Sequence, residues 1–291
     1  IQTSEGVVVG SIVEDEWPPD LDNLLPADMV ANSSAESAVR LGSESVVHGD
    51  VETVGTVELA DSSAVVQGEV KEKAEPVEIP AIETSDYDPE ALGLAFDSLD
   101  DYVPDGSLLE LSGSVRRDGD LVVADGLKLV GAQLFVTGNC HIQKGLTGKG
   151  ILLVTGDLVI EGGTDLETPT RLGLLAEGRV DLRGAGAASS RLRGLIYAGN
   201  GLFAEDFTLV GALLSGRSAA GAGLRRTAVV SEPVKTPGLE KMYYVGTVTE
   251  TNPTPSPWSM LGEVSETKPP LGCGFRMHIE TTPGGGYPVK I

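Results

Sequence analysis

Residues 134–163 read LFVTGNCHIQKGLTGKGILLVTGDLVIEGG. Three strand-length clusters of β-branched or aliphatic residues are closed by Thr-Gly-Asn, Lys-Gly and Thr-Gly-Asp, and the same texture runs on both sides. Cut at its glycines, the chain from 106 to 216 reads GSLLELS, GDLVVAD, GLKLV, GAQLFVT, GNCHIQK, GILLVT, GDLVIE, RGLIYA and GALLS, among others. Each piece is a short apolar alternation ended by the residues tight turns require. The bends are mostly single glycines rather than the two-residue Asn-Gly or Asp-Gly loops that hairpins prefer. Even spacing with such corners favours a solenoid over a stack of hairpins.

The energetics agree. One coil of roughly 20 residues with four to six inward aliphatic side chains gains about 6–18 kcal/mol gross from burial. Ordering its backbone costs about 20–40 kcal/mol. A lone coil is unstable, whereas stacked coils pair their backbones and share one interior. The expected fold is all-β, a parallel β-helix (β-solenoid) with a short helical insertion and extended terminal arms.

The boundaries follow composition. Residues 1–44 mix GVVVGSIV with the proline-bearing EDEWPPDLDNLLPADM and are expected to form an irregular lead-in or cap that packs Trp17 and Leu24 or Leu25 onto the body. The first rungs span 45–82, where Val46, Val51, Val54, Val57, Val65 and Val70 alternate with Gly49, Gly55 and Gly68. Residues 83–104 carry a capping Ser85 or Asp88, Pro89, and Leu92, Phe96 and Leu99 at spacings of four and three, which predicts one amphipathic helix. The main solenoid covers 105–216. Residues 217–291 hold many of the prolines and are expected to be an extended arm, with Trp258, Phe275 and Tyr287, like Trp17, as anchors.

Of 291 residues, 43 are Asp or Glu and 21 Lys or Arg, giving a formal charge of −22. Such a surface repels phosphate backbones and anionic head groups, so nucleic acid is excluded as a partner. Membrane contact is expected only through a segment absent from this chain, which begins at Ile1. Cys140 and Cys273 lack metal-site spacing. A bridge between them would fit an oxidising compartment; two separate free thiols are the alternative.

The candidate chemistry reads as masonry. GLTGKG, Gly145 to Gly150, lacks the hydroxyl residue after its lysine and runs into a strand, so it does not meet the phosphate-loop pattern. Cys140 and His141 are strand neighbours and point to opposite faces. Asp157, Glu161, Asp165 and Glu167, followed by Arg171, Arg179, Asp181 and Arg183, form the nearest carboxylate group, with Asp157 and Asp181 at turn positions. No catalytic, cofactor-binding or metal residue is assigned. Calcium is the one cofactor the acidic surface invites, although no calcium-loop pattern occurs.

The succession VVHGDVETVGTVELADSSAVVQGEV, PVEIPAIETSDYDPEALG, LTGKGILLVTGDLVIEGG and LRGLIYAGNGLFAEDFTLVGALLS resembles a family of bacterial exported β-solenoid proteins. Members of that family often carry a type IV pilin-like hydrophobic N-terminus and are described as pilus-assembly-associated. More distantly, the stretch resembles the polymer-forming bactofilins. The likeness spans about residues 45–216 and rests on texture and segment order. It implies a right-handed parallel β-helix, export to the cell surface, extracellular space or periplasm, and a structural, non-enzymatic role as subunit or accessory of a surface filament, pilus-like or envelope assembly. Self-association, or binding to other surface or pilus subunits, would run through solenoid ends and terminal arms. This chain departs from the family in lacking the anchoring N-terminus and in its proline-rich tail. A surface adhesin, or a carbohydrate-active β-helix enzyme of the lyase or hydrolase kind, is the alternative. The scarcity of aromatic platforms in 106–216 counts against the enzyme.

Overall fold

The computed structural model describes residues 1–12, 19–77, 82–186, 189–216 and 222–231, together with three two-residue strands, Thr249–Glu250, His278–Ile279 and Val289–Lys290. The described body is a β-solenoid of about ten turns, built almost wholly from parallel strands. Three walls surround its interior. A nine-stranded sheet makes the first wall and a twelve-stranded sheet the second. In the upper coils the third wall is the continuation of the second-wall strands, which turn a corner at register shifts such as Ser112/Ser114 and Val130/Ala132. In the lower coils it is a separate sheet of Met29–Ala31, Val51–Thr53 and Val70–Lys71.

Inward residues stack in register from coil to coil. Leu121, Cys140, Leu158, Val180 and Leu202 form one such column, and Val123, Ile142, Ile160, Leu182 and Ala204 another. All ten are buried. Parallel pairing repeats about every 4.8 Å, so aliphatic side chains of similar width fill the interior without voids.

One corner is held by a vertical chain of side-chain acceptors. Asp120 Oδ1 accepts from Asn139 N (2.7 Å), Asn139 Oδ1 from Asp157 N (2.9 Å), and Asp157 Oδ1 from Arg179 N (2.7 Å). The glycine before each acceptor-bound amide leaves room for the oxygen: a Cβ on Gly156 would lie 2.5 Å from Asn139 Oδ1. The lower coils repeat the device at a different corner, Asp28 to Asp50 to Glu69, each contact 2.8 Å.

Coil order does not follow chain order. From one end the stack runs from Leu109–Arg117 down to Ala228–Ser231, and the next coil is the beginning of the chain. Gln2 and Thr3 pair with Gly223 and Leu224, and Val8–Ser11 with Ala228–Ser231. Below them lie Val39–Leu41, Val46–Val47 and Val51–Thr53, then Val57–Leu59, Val65–Val66 and Val70–Lys71 at the far end. The irregular lead-in expected over 1–44 is therefore corrected: Gln2–Thr3, Val8–Ser11, Met29–Ala31 and Val39–Leu41 are solenoid strands. Within that stretch Leu24 packs with Ile12, Val210 and Val230 on the outside of the second wall.

Because the chain reaches the bottom of the stack by residue 71 and resumes at the top, it must cross the whole body. Val77 N donates to Asn32 Oδ1 (2.8 Å) near the bottom. Higher up, Glu177 Oε1 accepts from Thr84 N (2.9 Å) and Oγ1 (2.6 Å), and Gln133 Nε2 donates to Tyr87 O (3.0 Å). At the top Arg116 pairs with Asp88 (3.0 Å) and Glu90 (2.9 Å). Ile82 and Tyr87 of this strap cover an apolar stripe on the outer face of the third wall, Phe135, Leu153, Leu175 and Tyr197.

The helix expected at 83–104 is replaced by a single 3-10 turn, Thr84–Tyr87, and turns through residue 93. Gly93 at φ +66° ends the helical winding. Phe96 instead lies under the Arg116 guanidinium, 5.9 Å from carbon to ring centre, and Leu99 joins the core. The three positions read as one helical face thus part company, Leu92 being exposed.

Candidate association site at the open end

A parallel stack exposes backbone and interior at both ends unless something covers them. At the upper end the cover is present. Asp97–Ser98 pairs with Val115 and Arg116, Leu99 and Tyr102 pack on the interior, and Arg117 Nη1 donates to the carbonyls of Leu99 (2.9 Å) and Asp100 (2.5 Å). Leu111 and Val115 in the first full strand are consequently 8% and 3% exposed.

Among the described residues the lower end has no such cover. Leu59 is in register with Leu41, and Val70 with Val51, both inward residues at 0% exposure. Leu59 and Val70 occupy the same inward columns yet are 47% and 44% exposed, and Val65 beside them is 40% exposed. Val57–Leu59, Val65–Val66 and Val70–Lys71 each end their sheet, with no further strand among the described residues. Three edges are thus open around an uncovered apolar interior. One edge amide is satisfied from within, since Glu72 Oε1 accepts from Val57 N at 2.8 Å.

Charges on the outer faces alternate from coil to coil. Arg40 Nε lies 3.6 Å from Glu58, and Lys71 Nζ 2.6 Å from Glu52. In the upper coils Lys128 meets Glu110 (2.8 Å), and Glu167 receives Lys149 (2.7 Å) and Arg193 (3.7 Å).

The residues singled out in the sequence fall elsewhere. Cys140 is a free thiol in the interior, its pKa pushed up to about 12 by burial, where it packs as a small hydrophobe. Cys273, Trp17, Trp258, Phe275 and Tyr287 lie outside the described residues, as does most of the arm expected over 217–291, whose start is corrected: Ala222–Arg225 and Ala228–Ser231 are solenoid strands. His141 is on the opposite face from Cys140, with Nε2 3.3 Å from Glu161 Oε2. Gly145–Gly150 belongs to a strand, and Lys149 is ion-paired.

The carboxylates are distributed rather than convergent. Asp157 belongs to the corner chain, Glu161 faces His141, Glu167 is ion-paired, and Asp181 holds Arg183 through both oxygens at 3.0 Å. Asp181 is a mid-strand residue of Val180–Arg183 and not at a turn. Among the described residues no group of three or more His, Cys, Asp or Glu side chains could hold a metal ion.

The open end escaped sequence reading because VELADSSAVVQGEV is indistinguishable in pattern from an interior coil. Only its place at the bottom of the stack exposes Leu59 and Val70. No protein-family model, curated protein or solved structure matches this chain.

Proposed function

We propose that this protein is an architectural, non-catalytic module that joins a larger assembly by adding strands at its open end. The observation that carries this reading is the exposure of Leu59 and Val70, inward residues of the last coil, beside three unpaired strand edges. Covering Leu59 and Val70 gains about 2 kcal/mol gross, scaled from full side-chain burial. Association costs about 4–15 kcal/mol in lost freedom, so edge hydrogen bonds must supply the rest and the contact is reversible. The distribution of carboxylates into separate coil-to-coil contacts supports a structural role over polysaccharide chemistry, which needs two grouped acids. The resemblance of the rung sequence to exported, pilus-associated solenoids supports placing the assembly at a bacterial surface.

Amide hydrogen exchange of the full chain across concentration tests the reading. Protection should rise in the peptides covering 57–73 and stay constant over 97–117. Exchange at 57–73 that is independent of concentration and of added partner fractions would overturn it.

A further inference from the structure

We infer that the occupant of the open end is a second copy of this chain, related by a twofold axis through the Val65–Val66 strand; this rests on the end-addition reading above. Three observations lead there. First, Leu99, Tyr102 and the Asp97–Ser98 strand already cover the apolar interior at the upper end, where Asp97–Ser98 pairs with Val115 and Arg116 and the Leu121–Val123 edge carries no further strand among the described residues. Head-to-tail stacking would leave the interior at the upper end under its own cover and bury only one open interior, whereas open end against open end buries two. Such a pair closes on itself, as twofold interfaces do.

Second, turning one copy over makes its edge strands antiparallel to those of the other. A twofold axis crossing the stack then places one wall opposite itself and exchanges the other two. With the Val57–Leu59 wall on the axis, Glu58 would face its own copy. With the Val70–Lys71 wall on the axis, Glu58 would face the apolar Val65–Val66 strand. With Val65–Val66 on the axis, two valine pairs meet at the centre, and Glu58 of each copy faces Lys71 of the other. Opposite charges directly across antiparallel strands favour pairing and like charges oppose it.

Third, this arrangement continues the charge alternation already present. Arg40 and Glu58 are stacked on one wall, Glu52 and Lys71 on another. Across the twofold axis they join into two ladders of four alternating charges, Arg40, Glu58, then Lys71 and Glu52 of the second copy. The side chains of Glu58 and Lys71 are 45% and 62% exposed and are available for it.

Sedimentation equilibrium of the full chain should show a reversible transition that saturates at the mass of two chains. Glu58→Lys and Lys71→Glu should each weaken self-association by about tenfold or more, because each variant opposes like charges at both contacts. Mixed one to one, the two variants should bind each other with near wild-type affinity. In that mixed pair the two substituted side chains face each other at one contact with their charges exchanged, and the other contact keeps its native Glu58 and Lys71. Circular dichroism of each variant checks folding. Val65→Lys, on the axis, gives an independent variant that should also abolish pairing.

Growth beyond two chains, unweakened self-association of either charge variant, or a mixture that stays monomeric would overturn the twofold arrangement. Concentration-dependent protection at 57–73 would in those cases leave end addition standing. A wild-type chain that remains monomeric and unprotected at every concentration overturns both.

Discussion

The two ends of this solenoid obey one stacking rule and meet water differently. At the upper end strands of nine or ten residues, Leu109–Arg117 and Leu127–Val136, carry two walls each and are roofed by residues 97–103. At the lower end strands of two or three residues, Val57–Leu59, Val65–Val66 and Val70–Lys71, carry one wall each and have no roof among the described residues. Equivalent inward leucines are fully buried in one place and half exposed in the other. Side-chain pattern therefore sets which residues point inward, but position in the stack decides how much free energy their burial yields.

The comparison breaks most visibly at glycine. Gly145 sits at φ +97°, and a Cβ there would lie 1.8 Å from the Gly163 carbonyl oxygen of the next coil. Gly145→Ala should cost about 4 kcal/mol or prevent folding, through backbone strain and separation of two coils. Gly93, at φ +66° with open space around it, should cost only about 1 kcal/mol on the same change. Urea denaturation measures both. The Cys140 thiol reports independently, because burial holds it protonated and unreactive until the stack opens.

The middle of the stack and its lower end are compared by shortening one inward leucine in each. Leu152, at 0% exposure in mid-stack, should lose about 3 kcal/mol on substitution by alanine, whereas Leu59→Ala should lose less than about 1 kcal/mol in a dilute, unassociated chain. Equal losses in urea titrations would mean that the lower end is covered.

The strap offers a smaller effect. Glu177→Ala removes the acceptor of both Thr84 hydrogen bonds and should destabilise by about 2 kcal/mol. Faster amide exchange confined to 82–96 would show local release, and uniform acceleration would show that the strap is part of the global folding unit.

The smallest effect is a pH dependence of the lower coils. Hydrogen bonds from Ser43 and Ser63 lower the Asp61 carboxyl to about 2, below its ordinary value near 3.9. A depressed folded-state pKa contributes stability that is complete above the unfolded value and is lost as pH falls from about 4 toward 2. Exchange of the 57–73 peptide should accelerate over that window, and Asp61→Asn should flatten the response.

Much of the upper stack was legible in sequence, because its glycine-punctuated segments repeat inside a contiguous stretch and each coil stacks on the next one made. The lower stack was legible as rungs from Val46 onward, but its attachment was not. Gln2 and Val8 pair with residues more than two hundred positions away, and parallel pairing leaves no local turn signal. The amphipathic spacing of Leu92, Phe96 and Leu99 misled for a related reason. Arg116 claims Phe96 and the uppermost core claims Leu99, while Leu92 is left exposed. Asp120, Asn139 and Asp157 read as turn formers, and the structure adds that each also accepts a hydrogen bond from the following coil. That contact is visible only once the vertical register is known.

The inversion of coil order also has a temporal side. The amide of Ser4 donates to the carbonyl of Leu224, a partner 220 residues further along the chain. Translation at about 5–20 residues per second separates the emergence of the two by roughly ten seconds or more. Throughout that interval Gln2–Thr3 and Val8–Ser11 are without the platform on which they finally rest. The valine-rich GVVVGS segment is an unpaired strand edge while it waits, and the strands Ala222–Arg225 and Ala228–Ser231 are the ones that relieve it.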